Sequence, residues 1–313
     1  MMARLKSWEG LLLATLLVIF AFNAWATPEF VSVSNQINLF QLSIEKIIMA
    51  LVMTFVIINA EIDLSVGSMM GLSACAFGWL FLQGVPPGLC IAICLAIGLA
   101  GGAFNGWFIT RVGLPSLVVT LATLIGFRGL ARVMVEDRGI NNFPDWFDAL
   151  GQQGLVGPVP FSLIAFVVLF GLLYVVLERS GFGRLTYVIG SNKDVAEFAG
   201  IDTGRHKMVI FMASGLCAAF AGLLFAARVG AVRGDVGNGF ELDVITIVLL
   251  GGVSIFGGKG TLVGTLLAIL IVLNLRNGMA LLNITGHIQT GVIGILLIAS
   301  VVIPRIRLGK ATA

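Results

Sequence analysis

Apolar residues in this chain neither alternate nor recur at helical spacing; they run on in long stretches divided by short polar joints. Runs of roughly 17 to 25 such residues predict helices that are apolar all round and able to cross a bilayer. They fall near 10–27, 43–60, 64–83, 88–110, 115–134, 160–177, 208–228, 242–257, 260–278 and 287–304. The eighth is short, and the second opens on two charges, Glu45 and Lys46. The expected fold is all-α: a polytopic membrane protein of about ten transmembrane helices, with 1–313 forming a single domain. The first run has a rival reading. Arg4 and Lys6 before it and Ala24-Trp25-Ala26 after it also fit a cleavable signal peptide, whose removal would leave the other spans oriented as before.

Composition sharpens this picture. The mean hydropathy is +1.04 and only 11% of residues are charged, where a soluble domain carries about 25%. Lipid must therefore be the solvent, and the 40 glycines suit close helix packing within it. The net charge of +3 gives no footing for nucleic acid; the placement of the charges matters more. With the N-terminus in the cytoplasm, that side holds Arg4, Lys6, Arg111, Arg179, Arg184, Lys193, Arg205, Lys207, Lys259, Arg305, Arg307 and Lys310. The other side holds Lys46, Arg128, Arg132, Arg138, Arg228, Arg233 and Arg276. The excess puts both termini in the cytoplasm by the positive-inside rule. Two polar segments remain, an outer loop at 135–159 with Glu136, Asp137, Arg138, Asp145 and Asp148, and a basic, helical-looking cytoplasmic segment at 178–207.

Two patterns recur in the halves of the chain. Glu61-Ile62-Asp63-Leu64-Ser65-Val66-Gly67 opens the third span and Glu241-Leu242-Asp243-Val244-Ile245-Thr246 the eighth. Asn105-Gly106 ends the fourth, followed by Gly113, and Asn277-Gly278 ends the ninth, followed by Gly286. In the topology above each pair runs in opposite directions, so spans two to five and seven to ten form an expected inverted repeat, as in many transporters.

The chemistry of other classes is missing. Gly257-Gly258-Lys259-Gly260-Thr261 is not a phosphate loop, because Gly260 stands where Ser or Thr must reach the magnesium ion. There is no zinc-protease or serine-hydrolase motif, and His206 and His287 fall on opposite sides. No chain of intramembrane carboxylates and histidines marks an ion-driven pump. Cys90 and Cys94 share a helix face but, like Cys75 and Cys217, lie in apolar runs. No metal, disulfide, cofactor or catalysis is expected, so any energy must come from a partner.

Three motifs then carry a resemblance. They are Glu61 to Ser68 (EIDLSVGS), Ile189-Gly190-Ser191-Asn192 followed by Ala196, Ala199, Gly200 and Ile201, and Val248 to Leu267 (VLLGGVSIFGGKGTLVGTLL). From about residue 10 to 304 the chain resembles the permease subunits of ABC importers for sugars of the ribose, xylose, rhamnose and autoinducer-2 class. It departs at Asn59-Ala60-Glu61, where many members have Thr-Gly-Gly, and at Phe198, where small residues are usual. The stretch Asn274 to His287 looks most like rhamnose-type members.

The resemblance implies an inner-membrane permease without catalytic activity of its own. It implies three partners: a cytoplasmic ABC ATPase, a periplasmic solute-binding protein, and a second permease subunit, identical or paralogous. Gly190, Asn192, Ala196, Glu197, Ala199, Gly200 and Ile201 would belong to the coupling helix seated in the ATPase. The small residues would allow close docking, with Lys193 and Glu197 on the solvated side. Arg138 and Arg233 would dock the binding protein, while Arg228 and Arg276 fit snorkelling towards headgroups better. Glu61, Asp63, Ser65, Gly67, Glu241 and Asp243 are candidate gate residues, with Asp63 and Ser65 also expected to cap the third span. Asn59, Asn105, Thr120, Asn274 and Gln289 are candidate pathway groups. The small-residue rows Gly98/Gly102/Gly106 and Ser214/Ala218/Gly222/Ala226 read as packing seams. Branched-chain amino acid and nucleoside permeases would share this architecture; an ion-coupled secondary transporter is the alternative from another class.

Overall fold

A computed structural model describes the backbone of residues 2–136 and 138–309 and the side chains of residues 8–136, 138–296 and 298. The side chains of Arg4, Lys6, Asp137, Arg305, Arg307 and Lys310 lie outside the described residues. The helices are α1 (Met2–Ala26), α2 (Val33–Gln41), α3 (Ile44–Ile58), α4 (Val66–Leu82), α5 (Pro87–Trp107), α6 (Ser116–Val135) and α7 (Asp145–Gln152). They continue as α8 (Phe161–Arg179), α9 (Gly181–Ser191), α10 (Lys193–Phe198), α11 (Thr203–Val229), α12 (Phe240–Leu250), α13 (Leu262–Leu281) and α14 (Gly286–Gly309). Four short strands, β1 (Ile140–Asn141), β2 (Gly154–Val156), β3 (Val159–Pro160) and β4 (Ala231–Val232), pair antiparallel as β1–β4 and β2–β3.

Six helices, α1, α5, α6, α8, α11 and α13, are long and apolar enough to cross a membrane among the described residues. Helices α2 and α3 add a seventh if their 60° bend lies within one span. The second span expected at 43–60 is met by the unbroken α3, with the bend before it, whereas the continuous eighth span expected at 242–257 is corrected. The eighth stops at Leu250, and its 11 residues rise only about 16 Å against a hydrocarbon core of about 30 Å. Beyond it the backbone turns through Gly252, Gly257, Gly258 and Gly260, all at positive φ. Hydropathy counts apolar side chains and cannot see where the backbone leaves the helix.

Burial sorts the helices into two layers. In α4 every residue from Val66 to Gly78 is buried, and α3 is buried along nearly its whole length. Peripheral helices turn large apolar side chains outward: Leu17 and Val18 on α1, Ile125 and Val133 on α6, Val168 and Leu172 on α8. So much exposed apolar surface calls for an apolar surrounding such as lipid hydrocarbon.

The tightest seam joins α5 to α11. A Cβ placed on Gly102 would stand 2.2 Å from the Phe211 carbonyl oxygen, and one on Gly215 would stand 2.1 Å from that of Gly98. The two backbones are thus in direct contact, as the glycine row on α5 anticipates. The row on α11 serves other neighbours, since Gly222 lies against the Met70 carbonyl of α4. Helix contacts also echo one another. Exchanging α3, α4, α5 and α6 for α11, α12, α13 and α14 turns α4–α11, α5–α11, α4–α5, α4–α6 and α5–α6 into α12–α3, α13–α3, α12–α13, α12–α14 and α13–α14. All ten pairs touch.

The start of α1 marks one face of the bundle. There Thr261 donates to Glu9 at 2.6 Å, and the indole of Trp8 fills the space beside Gly252. The opposite face carries α2, α7 and the β1–β4 ribbon, with Gln41 Nε2 donating to the Gly151 carbonyl at 3.0 Å.

Gly102→Leu should drive these helices apart, with a loss of about 2–3 kcal/mol or failure to fold. Gly171→Leu, where a Cβ meets open space, should be neutral. Thermal unfolding of the detergent-solubilised protein, followed by size-exclusion recovery, checks the contrast.

Candidate functional site

The loop between α3 and α4 holds the first motif and ties together three helices. Asp63, 2% exposed, accepts from the Ser65 N–H at 2.9 Å and the Ser65 hydroxyl at 2.6 Å. Its other oxygen accepts from Ser214 of α11 at 2.7 Å, and Asn105 of α5 donates to Ser65 Oγ at 2.9 Å. Ile62 reaches α6: its N–H donates to Ser116 Oγ at 3.2 Å and its carbonyl accepts from Thr120 Oγ1 at 3.3 Å. The capping expected of Ser65 is corrected, since its side chain makes no cap bond to α4; Asp63, accepting the Ser65 N–H, does hold an amide at the entry to that helix. Gly67 packs where a Cβ would meet Glu241 Oε2 at 2.4 Å and the Gly237 carbonyl at 2.8 Å. The two echoed motifs therefore meet side by side.

Around α12 the charges pair across helices. Lys46 Nζ lies 2.5 Å and Arg276 Nη2 2.9 Å from the two oxygens of Asp243. Arg228 Nε lies 2.9 Å from Glu45, which is 1% exposed, and Arg128 lies 3.5 Å from Glu241. Glu45, Glu241 and Asp243 thus each have a base from another helix, as low-dielectric burial favours. The snorkelling expected of Arg228 and Arg276 is thus replaced by ion pairing, a long-range match that no local sequence pattern announces.

The candidate pathway groups do not converge. Asn59, Asn105, Thr120 and Asn274 are buried and bonded within the fold: Asn59 Nδ2 donates to the Thr186 carbonyl at 3.5 Å and Asn274 Nδ2 to Leu270 at 2.7 Å. Gln289 donates to Ile284 at 2.8 Å, apart from the others.

The segment expected to couple to an ATPase forms the short helix α10 that its residues predict. Asn192 caps α10 by accepting the Val195 N–H at 3.1 Å. The helix closes with Gly200 at φ +79°, the Ile201 N–H donating to the Ala196 carbonyl at 3.1 Å and the Gly200 N–H to Glu197 at 2.9 Å. Lys193 and Glu197 pair at 3.5 Å on an exposed face, and Ala199 is exposed beside them. Ala196, expected to allow close docking, is fully buried inside the fold. The outward residue is Phe198, 92% exposed, with Val195 beside it. Sequence reading noted Phe198 only as a departure; an apolar side chain in a basic polar segment was the available signal. Gly190 belongs to the preceding α9, where a Cβ would strike the Ile58 carbonyl at 1.8 Å, and the Gly258 N–H donates to that same carbonyl at 2.8 Å. The glycines of the third motif thus clasp the ends of α3 and α9 immediately before α10. Thr203 donates to Glu197 at 2.6 Å and holds its carboxyl below the usual range, so Glu197 is ionised at neutral pH.

On the opposite face, β1–β4 pairing draws together the two docking candidates. Arg138 and Arg233 are both exposed, in loose pairs with Glu136 at 3.9 Å and Asp235 at 3.6 Å, and the Arg233 stem passes 3.8 Å from the Cβ position of Gly139.

Broken helices meeting at mid-bundle, interior ion pairs and a helical segment presented to solvent define a polytopic helical transporter. Comparison with known proteins makes this specific. Residues 35–301 match the family model described as branched-chain amino acid transport system / permease component, and the chain belongs to this permease family. It is 34% identical to the ribose import permease protein RbsC of Bacillus subtilis, over 97% of this chain and 93% of that one. It is also 34% identical to the D-allose transport system permease protein AlsC of Escherichia coli (93% and 89% covered). The autoinducer 2 import system permease protein LsrD of Yersinia enterocolitica is again 34% identical (82% and 78% covered). No solved structure matches the chain.

Asp243→Asn would leave Lys46 and Arg276 facing each other with no counter-charge. We expect a loss of about 2 kcal/mol or more in thermal unfolding, with Asp243→Glu retaining most of the stability.

Proposed function

We propose that this protein is the membrane-spanning, non-catalytic permease subunit of an ATP-driven importer for a monosaccharide-like solute. The observation that carries the reading is the 34% identity to the ribose permease over 97% of this chain. The face bearing α9, α10 and the start of α1 is cytoplasmic, which agrees with its excess of basic residues. There a separate ATPase seats α10, with Phe198 as the apolar anchor and Lys193 and Glu197 at the rim. On the periplasmic face a solute-binding protein docks acidic residues on Arg138 and Arg233. A second permease subunit, identical or paralogous, completes the pathway. Spans two to five and seven to ten form an inverted repeat, supported by the ten matching helix contacts; the count of about ten spans treats α12 as half of one. The rhamnose lean rests on Asn274 to His287 alone, beside named relatives for ribose, allose and autoinducer 2.

Uptake by proteoliposomes holding permease, ATPase and binding protein tests this reading. ATP-dependent entry of a sugar supports it. Entry of leucine or valine instead would favour the amino acid reading that the family description carries. Entry driven by a proton or sodium gradient without ATP would overturn both.

Gly200→Val, forcing a β-branched side chain into the left-handed region, should distort the end of α10 at a cost of about 1–2 kcal/mol. The expected result is ATP hydrolysis without matching uptake in an inserted, folded protein. Arg138→Glu with Arg233→Glu should weaken stimulation of hydrolysis by the binding protein, and added salt should weaken it in the parent.

A further inference from the structure

A cavity of about 640 Å³ opens on the α1-start face, between the first turn of α6 and the coupling segment. Glu61, at the head of the first motif, and Lys207, on α11, both line it. Their carboxylate and ammonium form an ion pair, with side chains only 13% and 11% exposed. This contact joins the motif loop to the coupling segment across the cavity wall. Its two ends are anchored by independent bonds.

At one end, Glu197 of α10 accepts from Thr203 at 2.6 Å, and Lys207 stands one turn further along the same face of α11. Displacement of α10 is thereby handed to the turn that carries Lys207. At the other end, Glu61 is fixed by its own backbone. Its N–H donates to the Val56 carbonyl at 3.1 Å, and Ala60 before it closes α3 at φ +60°, a conformation disfavoured for any residue with a side chain. Ile62 and Asp63 then bind α6 and α11 directly, and Ser65 receives Asn105 of α5.

We propose that Glu61 is a positioning residue: through Lys207 it transmits movement of the coupling helix to the motif loop, and so to α5, α6 and α11. The proposal rests on reading α10 as the ATPase contact. Neither residue need touch solute or nucleotide. Their effect appears in how much transport each hydrolysis event yields.

The reconstituted complex of permease, ATPase and binding protein tests it by the ratio of solute imported to ATP hydrolysed. Glu61→Gln and Lys207→Met should each lower that ratio about tenfold while hydrolysis persists, as expected when a mostly buried charge loses its partner. Glu61→Lys with Lys207→Glu should restore it to within about twofold of the parent, a rescue that mere packing would not give. Should a single variant fail to assemble, Glu61→Asp, which keeps the charge and withdraws it by one methylene, gives the same reading at smaller amplitude. Parental ratios in the single variants, or a swap as defective as either of them in an intact complex, would overturn the proposal. A parent complex with no ATP-dependent uptake would instead overturn the function on which it rests.

Discussion

A helix that stops inside a bilayer leaves amide and carbonyl groups with no water to receive them, and this constraint organises the middle of the molecule. Chain breaks follow α3, precede α12 and follow it, and each is covered by another. The carbonyl of Ile58, at the end of α3, is taken by the Gly258 N–H from the loop after α12. The segment leading into α12 runs along α4 so closely that a Cβ on Gly71 would meet the Val236 carbonyl at 2.5 Å. Glycines are needed at these points because backbone, not side chain, is what must fit there. The echoed motifs also lie in contact, with Gly67 packed against Glu241 and the Gly237 carbonyl.

The interior charges obey a parallel rule. An unpaired carboxylate among apolar helices is far more costly than one at a protein surface, so an acid in this bundle implies a base nearby. Asp243 satisfies Lys46 from α3 and Arg276 from α13 at once, and Glu45 satisfies Arg228 from α11. These pairs contribute little net stability when intact, because desolvation offsets attraction, but they fix which helix faces which. Asp63 is different. Its hydrogen-bond donors are two serines and a backbone amide, so it binds helices together through hydroxyl groups rather than through charge.

Much of this was legible in the sequence, and the illegible parts share a cause. Long apolar runs located α1, α5, α6, α8, α11 and α13 because hydropathy and helix length report the same thing. The break after Leu250 was hidden, since Gly251 and Gly252 sit in a run that remains apolar. Likewise the small-residue spacing located α10, but could not say that Ala196 turns inward while Phe198 turns out. The pairing of Arg228 with Glu45 joins residues 183 positions apart, beyond any local pattern. What sequence lacked throughout was direction: which face of an element meets protein, and which meets solvent or lipid.

Direction also decides how the proposed transport cycle can be carried. The α5–α11 seam cannot shear by small steps, because glycine backbones interlock at distances where any sliding brings Cα hydrogens against carbonyl oxygens. Asp63 and Ser65 add polar ties from the motif loop to the same two helices, and α4 is packed against both. Helices α4, α5 and α11 are therefore tied into one body. Relative motion must fall where the packing is looser, such as the apolar cavity of about 210 Å³ between Phe55, Leu173, Phe182 and Ile210. A coupling helix attached to α11 by the Glu197–Thr203 bond acts on that body directly, and α9 is tied to it through Thr186 and His206 at 2.9 Å, whereas α8, on the far side of the looser packing, need not follow it. Close backbone contact and looser side-chain packing thus divide the bundle into a lever and its support.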